Sequence, residues 1–457
     1  MKNQIKIHFL GAASEVTGSK FLIETSEKNI LIDCGMFQGI KRLRKLNWES
    51  LPFDASKIDV VLLTHGHLDH VGYLPRLIMQ GFKGQIIATH PTLAITTIIL
   101  KDSAKIHEEE AKKANNEGYS KHHPAMPFYD DKHVDETINY FQVVEVDAWK
   151  YISENIRCQF KYNGHIIGAT YIEMDIFGKR FVFSGDIGRE KDLLLFPPLK
   201  PKKADYLFLE STYGDRNHIE EDVENVLSEI ILDIIHKRGN LIIPSFAVER
   251  AQTLMYLLWK MYKKNRIPNI PIIVDSPMGT NVLGVFKNFM NWHKLSEAEY
   301  NAMVNHIRIV GSYKETWEVI DDNRPKIIIA GSGMVTGGRV LTYLDQFIDK
   351  NETTLLLVGY QAEGTRGRYL KEGASEIKFF GKYRQVKAQI KHIDSLSAHA
   401  DQTGIVNWIS EIKNKPKKVY LIHGEAGSTD VLRLKIKDTL GWNVIIPQLY
   451  DIEIITL

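Results

Sequence analysis

Cysteine is nearly missing from this chain: Cys34 and Cys158 are the only two among 457 residues. A disulfide framework is excluded, and a reducing cytoplasm is the expected location. No run approaches the ~20 apolar residues that span a bilayer, so no membrane partner is expected. The opening residues, Met1-Lys-Asn-Gln-Ile-Lys-Ile7, pass directly into an alternating pattern and leave no room for a signal peptide. An excess of one charge is also absent. Lys and Arg number 58 against 56 for Asp and Glu, a net of +2. Global charge therefore does not point to nucleic acid, and any such surface has to be local. Internal repeats and low-complexity segments are lacking too.

What is present is an ordinary globular composition, 44% hydrophobic and 25% charged. The length exceeds what one core usually supports, which predicts two domains or one domain with a large insert. Residues 6–10 alternate as a strand does, and residues 21–24 and 29–33 read as a hairpin. Residues 60–63 and 86–89 are short buried-strand runs. A second hairpin is expected from residues 171–177 and 180–184, turning at Gly178-Lys179. Beyond about residue 210 strands and helices alternate: a helix over 221–238 ending at Gly239, a strand over 241–244, a helix over 249–263, and strands over 270–274, 326–330 and 353–358. That alternation predicts a parallel α/β domain. After about residue 390 the β character returns over 419–423 and 444–455. The charged stretch 107–131 reads as a surface insertion, and the lysine-rich 412–418 as a solvated helix end.

The chemistry concentrates in Thr64-His65-Gly66-His67-Leu68-Asp69-His70, placed directly after a buried strand. Four potential ligands this close cannot point one way on a regular element, but a loop turning into a helix fans them around two ions. Imidazole nitrogen and carboxylate oxygen suit Zn²⁺, with Mn²⁺ or Fe²⁺ as alternatives. His165, Asp186 and His423 each lie beside glycine at an expected strand end, where a side chain can reach a cleft. Each alone is as readily a structural residue; with the cluster they complete two coordination shells.

These residues sit within a longer series: Leu31-Ile-Asp33-Cys-Gly35, Gly164-His165, Ser184-Gly-Asp186, Glu210-Ser-Thr-Tyr-Gly214, Pro244-Ser-Phe-Ala247, Ser276-Pro-Met278, Ala330-Gly-Ser-Gly-Met334, Gly359-Tyr-Gln361, Ser397-Ala-His399-Ala-Asp401 and His423-Gly-Glu425. The series resembles the β-CASP branch of the metallo-β-lactamase superfamily, nearest to prokaryotic relatives of the nuclease subunit that cleaves pre-mRNA 3′ ends. The resemblance implies an α/β fold, an αββα sandwich over residues 1–208 and 389–457 with an inserted α/β β-CASP domain over 209–388. By matched position it implies one metal held by His65, His67 and His165, a second by Asp69, His70 and His423, and Asp186 shared. Asp33 fits two readings equally, a carboxylate that orients the metal loop or a strand-end acid satisfying local amides.

The implied reaction is hydrolysis of phosphodiester bonds, with two Zn²⁺ (or Mn²⁺) lowering the pKa of a shared water. The implied catalytic set is Asp69, Glu210 and His399, with His399 protonating the departing 3′ oxygen and Glu210 orienting it. The products are a 5′-phosphate and a 3′-hydroxyl. The series departs from the family at Asp394-Ser395-Leu396, where relatives carry glycine and an aromatic residue. Single-stranded RNA is the expected substrate, because an insert of this size suits chains and DNA-repair members tend to carry valine where His423 stands. Ser397, Arg250, Arg339, Arg366 and Arg368 are the candidate substrate contacts, with Lys382 as a further phosphate contact and Tyr360 or Tyr213 as stacking rings. A homodimer is expected by analogy. A small-ester or thioester hydrolase, a DNA nuclease of the same superfamily and a metal-free scaffold are the competing readings.

Overall fold

A computed structural model describes residues 4–118, 122–359 and 361–456. Tyr360 lies outside the described residues. The chain forms two compact units, Met1–Asn217 joined by His399–Leu457, and His218–Ala398.

The first unit is a sandwich of two seven-stranded sheets. One runs in the order Ile452–Thr456, Gln4–Phe9, Phe21–Glu24, Asn29–Ile32, Val60–Leu62, Gln85–Thr89, Phe141–Val144. The other runs Val444–Ile445, Lys418–Ile422, Tyr206–Glu210, Lys179–Phe183, Thr170–Ile176, Ile156–Tyr162, Lys150–Tyr151. Their facing sides share one apolar core, in which Phe9, Phe21, Phe183, Phe208 and Tyr420 interlock. The rings of Phe183 and Phe208 stack with centroids 4.2 Å apart, a spacing that adds directional attraction to area burial. Helices cover both outer faces: Leu74–Met79 and His90–Glu117 pack on the first sheet, Gln402–Ile409 and Ala426–Leu440 on the second. Central parallel strands such as Val60–Leu62 and Tyr206–Glu210 are buried at every residue because both faces are covered.

The second unit holds a six-stranded, all-parallel sheet in the order Arg308–Ile309, Ile272–Asp275, Lys326–Ala330, Asn240–Pro244, Thr354–Val358, Gln389–Ile393. Its strands feed helices that begin just after them, including Arg250–Lys263, Pro277–Asn288 and Arg339–Phe347. Glu376–Phe379 and Lys382–Gln385 add a separate two-stranded hairpin. This unit is the α/β insert in a mixed α/β fold.

Three expectations are corrected. The turn of the second hairpin is Phe177-Gly178, not Gly178-Lys179, because Lys179 pairs with Ile176 and both turn residues have positive φ, 48° and 74°. Residues 107–131 are not one surface insertion: the helix His90–Glu117 runs through their first part, capped by Thr89 and ended by Gly118 at φ 66°. Residues 444–455 split into two strands that join different sheets. Both cysteines are free and buried. No helix among the described residues is long and apolar enough to cross a membrane.

Candidate metal centre

Strand ends deliver the polar side chains to one rim of the sandwich. Asp33 follows Asn29–Ile32, His65 follows Val60–Leu62, Asp186 follows Lys179–Phe183, Glu210 ends its own strand and His423 follows Lys418–Ile422. His67 is the cap of the four-residue helix Leu68–Val71, which turns Asp69 and His70 inward. The backbone around this helix is closely packed. A Cβ at Gly35 would fall 1.5 Å from the Asp69 carbonyl oxygen, so only glycine fits there.

Two donor groups result. His65, His67, His165 and Asp186 bring one nitrogen or oxygen each within 4.8 Å of one another, and so do Asp69, His70 and His423. Asp186 divides its oxygens between them: Oδ2 lies 3.4 Å from Nε2 of both His65 and His165, and Oδ1 lies 3.4 Å from His70 Nε2 and from His423 Nδ1. Within the second group, His423 Nε2 is 3.2 Å from Asp69 Oδ2 and 3.2 Å from His70 Nε2.

The surroundings set the form of each ring. Burial, with His65 beside it, holds His67 down at about 3. Burial also pushes His65 and His165 below the ordinary imidazole range, so these rings present bare nitrogens. Burial alone would push His70 down as well, but Asp186 and Asp33 outweigh it and hold His70 well up. Burial opposes ionisation of Asp186 and Asp69, yet the surrounding imidazoles hold both below the usual carboxylate range. Asp186 Oδ1 is buried with no hydrogen-bond donor among the described residues, a costly state unless a cation meets it. Three imidazoles with one carboxylate, and two imidazoles with two carboxylates, are donor sets that suit zinc. The residues fit a pair of such ions.

Asp33 lies behind the ligands. Its Oδ1 accepts from the Thr64 amide at 2.8 Å and its Oδ2 from Thr64 Oγ1 at 2.8 Å. With its hydrogen given to Asp33, Thr64 Oγ1 accepts from His65 Nδ1, 3.1 Å away, which leaves Nε2 as the donor atom. Thr212 Oγ1 sits 3.1 Å from His423 Nδ1. Neither threonine was anticipated from the sequence as a site residue, although both stand inside motifs that were. Adjacency to His65 was the available signal for Thr64, whereas Thr212 meets His423 across 211 residues and gave none.

Beside the first group, Glu210 is fully buried and its Oε2 lies 3.2 Å from His399 Nδ1. Its other oxygen accepts from the Ile187 amide. His399 Nε2 is turned toward Asp186 Oδ2, 4.0 Å away, and the ring lies 4.4 Å from that of His165. Burial pushes His399 down, but Glu210, then Asp186 and Asp69, outweigh it and hold it up at about 9.

The other candidates belong to the second unit. Arg339 stacks 3.6 Å over the Tyr313 ring and donates to Thr316 Oγ1 at 2.6 Å. Arg366 donates to the carbonyls of Lys378 and Thr336 at 2.9 and 3.2 Å, and Arg368 to Glu372 at 2.5 Å. Arg250 is buried beside Gly359, and Ser397 is buried with its amide on the Asp394 carbonyl. Arg339, Arg366 and Arg368 each bond a partner within their own unit. Tyr213 is buried in the first unit, 6.1 Å from the His399 ring.

Comparison with known proteins agrees with this architecture. Residues 15–219 match the family model described as Metallo-beta-lactamase superfamily, residues 251–370 the Beta-Casp domain, and residues 383–447 the Zn-dependent metallo-hydrolase RNA specificity domain. Ribonuclease TTHA0252 of Thermus thermophilus is 34% identical over 426 residues, covering 91% of this chain and 92% of that protein. An RNase J-like protein of Methanocaldococcus jannaschii is 32% identical over 449 residues, covering 97% and 98%. Among solved structures, a protein of unknown function from Enterococcus faecalis V583 aligns over 99% of this chain and 100% of its own with a TM-score of 0.55 at 12% identity, a likeness of fold alone.

Proposed function

The chain belongs to the β-CASP family of metallo-β-lactamase-fold hydrolases, and on that premise we propose that it cuts phosphodiester bonds of single-stranded RNA, leaving 5′-phosphate and 3′-hydroxyl ends. The observation that carries this reading is the pairing of Glu210 with His399 beside two donor groups that share Asp186. His65, His67 and His165 would hold one zinc ion, Asp69, His70 and His423 the other, with Asp186 common to both; so bound, the pair supplies an activated water and neutralises phosphate charge.

The protein's own part is proton placement. Glu210 accepts from His399 Nδ1 and thereby fixes Nε2 as the atom facing the centre. A proton on Nε2 is positioned for a departing 3′ oxygen, the step that a cation does not perform. Asp69 serves as a donor whose carboxylate is held against His423. RNA is favoured because two similar proteins are named Ribonuclease TTHA0252 and RNase J-like protein and one matched domain is described by RNA specificity.

The test is cleavage of one end-labelled single-stranded RNA and its DNA counterpart by zinc-loaded protein, by chelated protein and by chelated protein given zinc back. Metal-dependent RNA cutting with a 5′-phosphate product is expected. Cutting of neither strand, or turnover of thioesters instead, overturns the proposal.

A further inference from the structure

A two-residue hairpin turn places Phe380 and Gly381 between paired Phe379 and Lys382. Both turn residues have positive φ, 47° and 84°, as a turn matched to strand twist requires. Glycine takes this conformation freely, whereas an aromatic side chain takes it against a steric penalty. The same Phe-Gly turn occurs at Phe177-Gly178, where the ring packs on the sandwich core and so offsets the strain. Phe380 has no such compensation: it is 65% exposed. Tyr383, 64% exposed, stands across the hairpin from Lys378, whose ammonium lies 5.3 Å from its ring.

The hairpin and the strand after it are also rich in cations. Residues 376–391 contain five cations and one anion, Glu376, in a chain whose net charge is only +2. Arg384 is paired with Asp345 at 2.8 Å. Lys378, Lys382, Lys387 and Lys391 are exposed and make no ion pair among the described residues. A strained, exposed aromatic tip flanked by cations combines the two elements that hold single strands, a stacking face and phosphate partners.

We infer that the hairpin Glu376–Phe379 and Lys382–Gln385 docks single-stranded nucleic acid, a base stacking on Phe380 or Tyr383 and phosphates meeting Lys378 and Lys382. A second copy of the chain is the poorer occupant. A two-fold contact sets a patch against itself and would bring these cations together. The choice of RNA as the strand rests on the ribonuclease reading; the stacking and charge do not.

The experiment uses full-length, zinc-loaded protein and a fluorescent, phosphorothioate poly-uridine probe, with affinity read by anisotropy across a salt series. Phe380→Asn is expected to weaken binding by about five-fold or more, the loss of one stacked base, while raising the melting temperature, since Asn accepts positive φ. Replacing Lys378 and Lys382 by Gln is expected to lower the salt slope by about 1.4, at ~0.7 per phosphate contact. Cleavage of a short unmodified RNA is expected to keep its kcat in Phe380→Asn. Unchanged affinity and slope overturn the inference, as does loss of a dimer on sizing of Phe380→Asn, which would make the surface an interface between copies. Wild-type binding that the variants lose, without any RNA cleavage, supports the docking surface and sinks the ribonuclease reading alone.

Discussion

Asp33 Oδ2 lies 2.8 Å from Nδ1 of His70, and both groups are buried. That contact holds the ring so that Nε2 faces Asp186 and His423. Asp33 thus satisfies the Thr64 amide and holds the His70 ring at once. Asp33→Asn is expected to weaken zinc at the group formed by Asp69, His70 and His423 by ~10–100-fold. A competitive chelator titration reads this directly, and an unchanged second binding constant would remove Asp33 from the site.

Under the proposed mechanism Glu210→Gln and His399→Ala act on proton delivery, so each is expected to lower kcat by ~10²–10⁴-fold with zinc content unchanged. A substrate whose leaving group needs no proton, such as a p-nitrophenyl phosphodiester, separates the roles. With it the defect should shrink to a few-fold. An equal loss on both substrates would assign the pair to structure.

Arg339 offers a contrast between expectation and surroundings. Its guanidinium stacks on Tyr313, bonds Thr316 and lies 3.9 Å from buried Asp275. Asp275 Oδ2 in turn accepts from Thr316 and Tyr343 at 2.6 and 2.7 Å. Removing the cation leaves that carboxylate short of a partner, so Arg339→Ala is expected to cost roughly 1–3 kcal/mol of stability. Denaturant unfolding measures the loss. Normal unfolding with weakened RNA affinity would return Arg339 to the substrate.

His107 should make the protein acid-sensitive. Its half-buried ring stands edge-on to Phe128 and Tyr129, with centroids 5.7 and 5.0 Å away. Burial pushes it from 6.5 down to about 4. The unfolded chain then binds a proton that the folded chain refuses, so stability is unaffected above pH 6.5 and falls as pH drops toward about 4. His107→Leu is expected to flatten the melting temperature over that window relative to the wild type. Parallel curves for the two proteins would exclude the effect.

His165, Asp186 and His423 were readable because each stands beside glycine near a strand end, and His65, His67, Asp69 and His70 because they crowd within six residues after a buried strand. The α/β insert was readable from alternation of buried strands with helices. What escaped depends on partners distant in sequence or on weak periodicity. Arg366 bonds the Lys378 carbonyl 12 residues away, and Arg339 bonds Thr316 across 23. The second half of the helix His90–Glu117 is largely exposed and lacks an apolar stripe, so only the helix propensity of its Glu, Ala and Lys marked it. The turn at Phe177-Gly178 was misplaced because phenylalanine is an unusual occupant of positive φ.

The order in which the strands enter the sandwich gives the centre a history. During synthesis His65, His67, His165 and Asp186 have all emerged by residue 186, whereas the group with Asp69 and His70 waits for His423. The strand carrying His423 pairs with Tyr206–Glu210, made some two hundred residues earlier, and His399 also arrives late. A ribosome-bound chain can therefore present a complete first donor group while it lacks both the second and His399. If the protein cuts RNA as proposed, the nascent chain can collect a metal ion long before it can damage the transcripts around it.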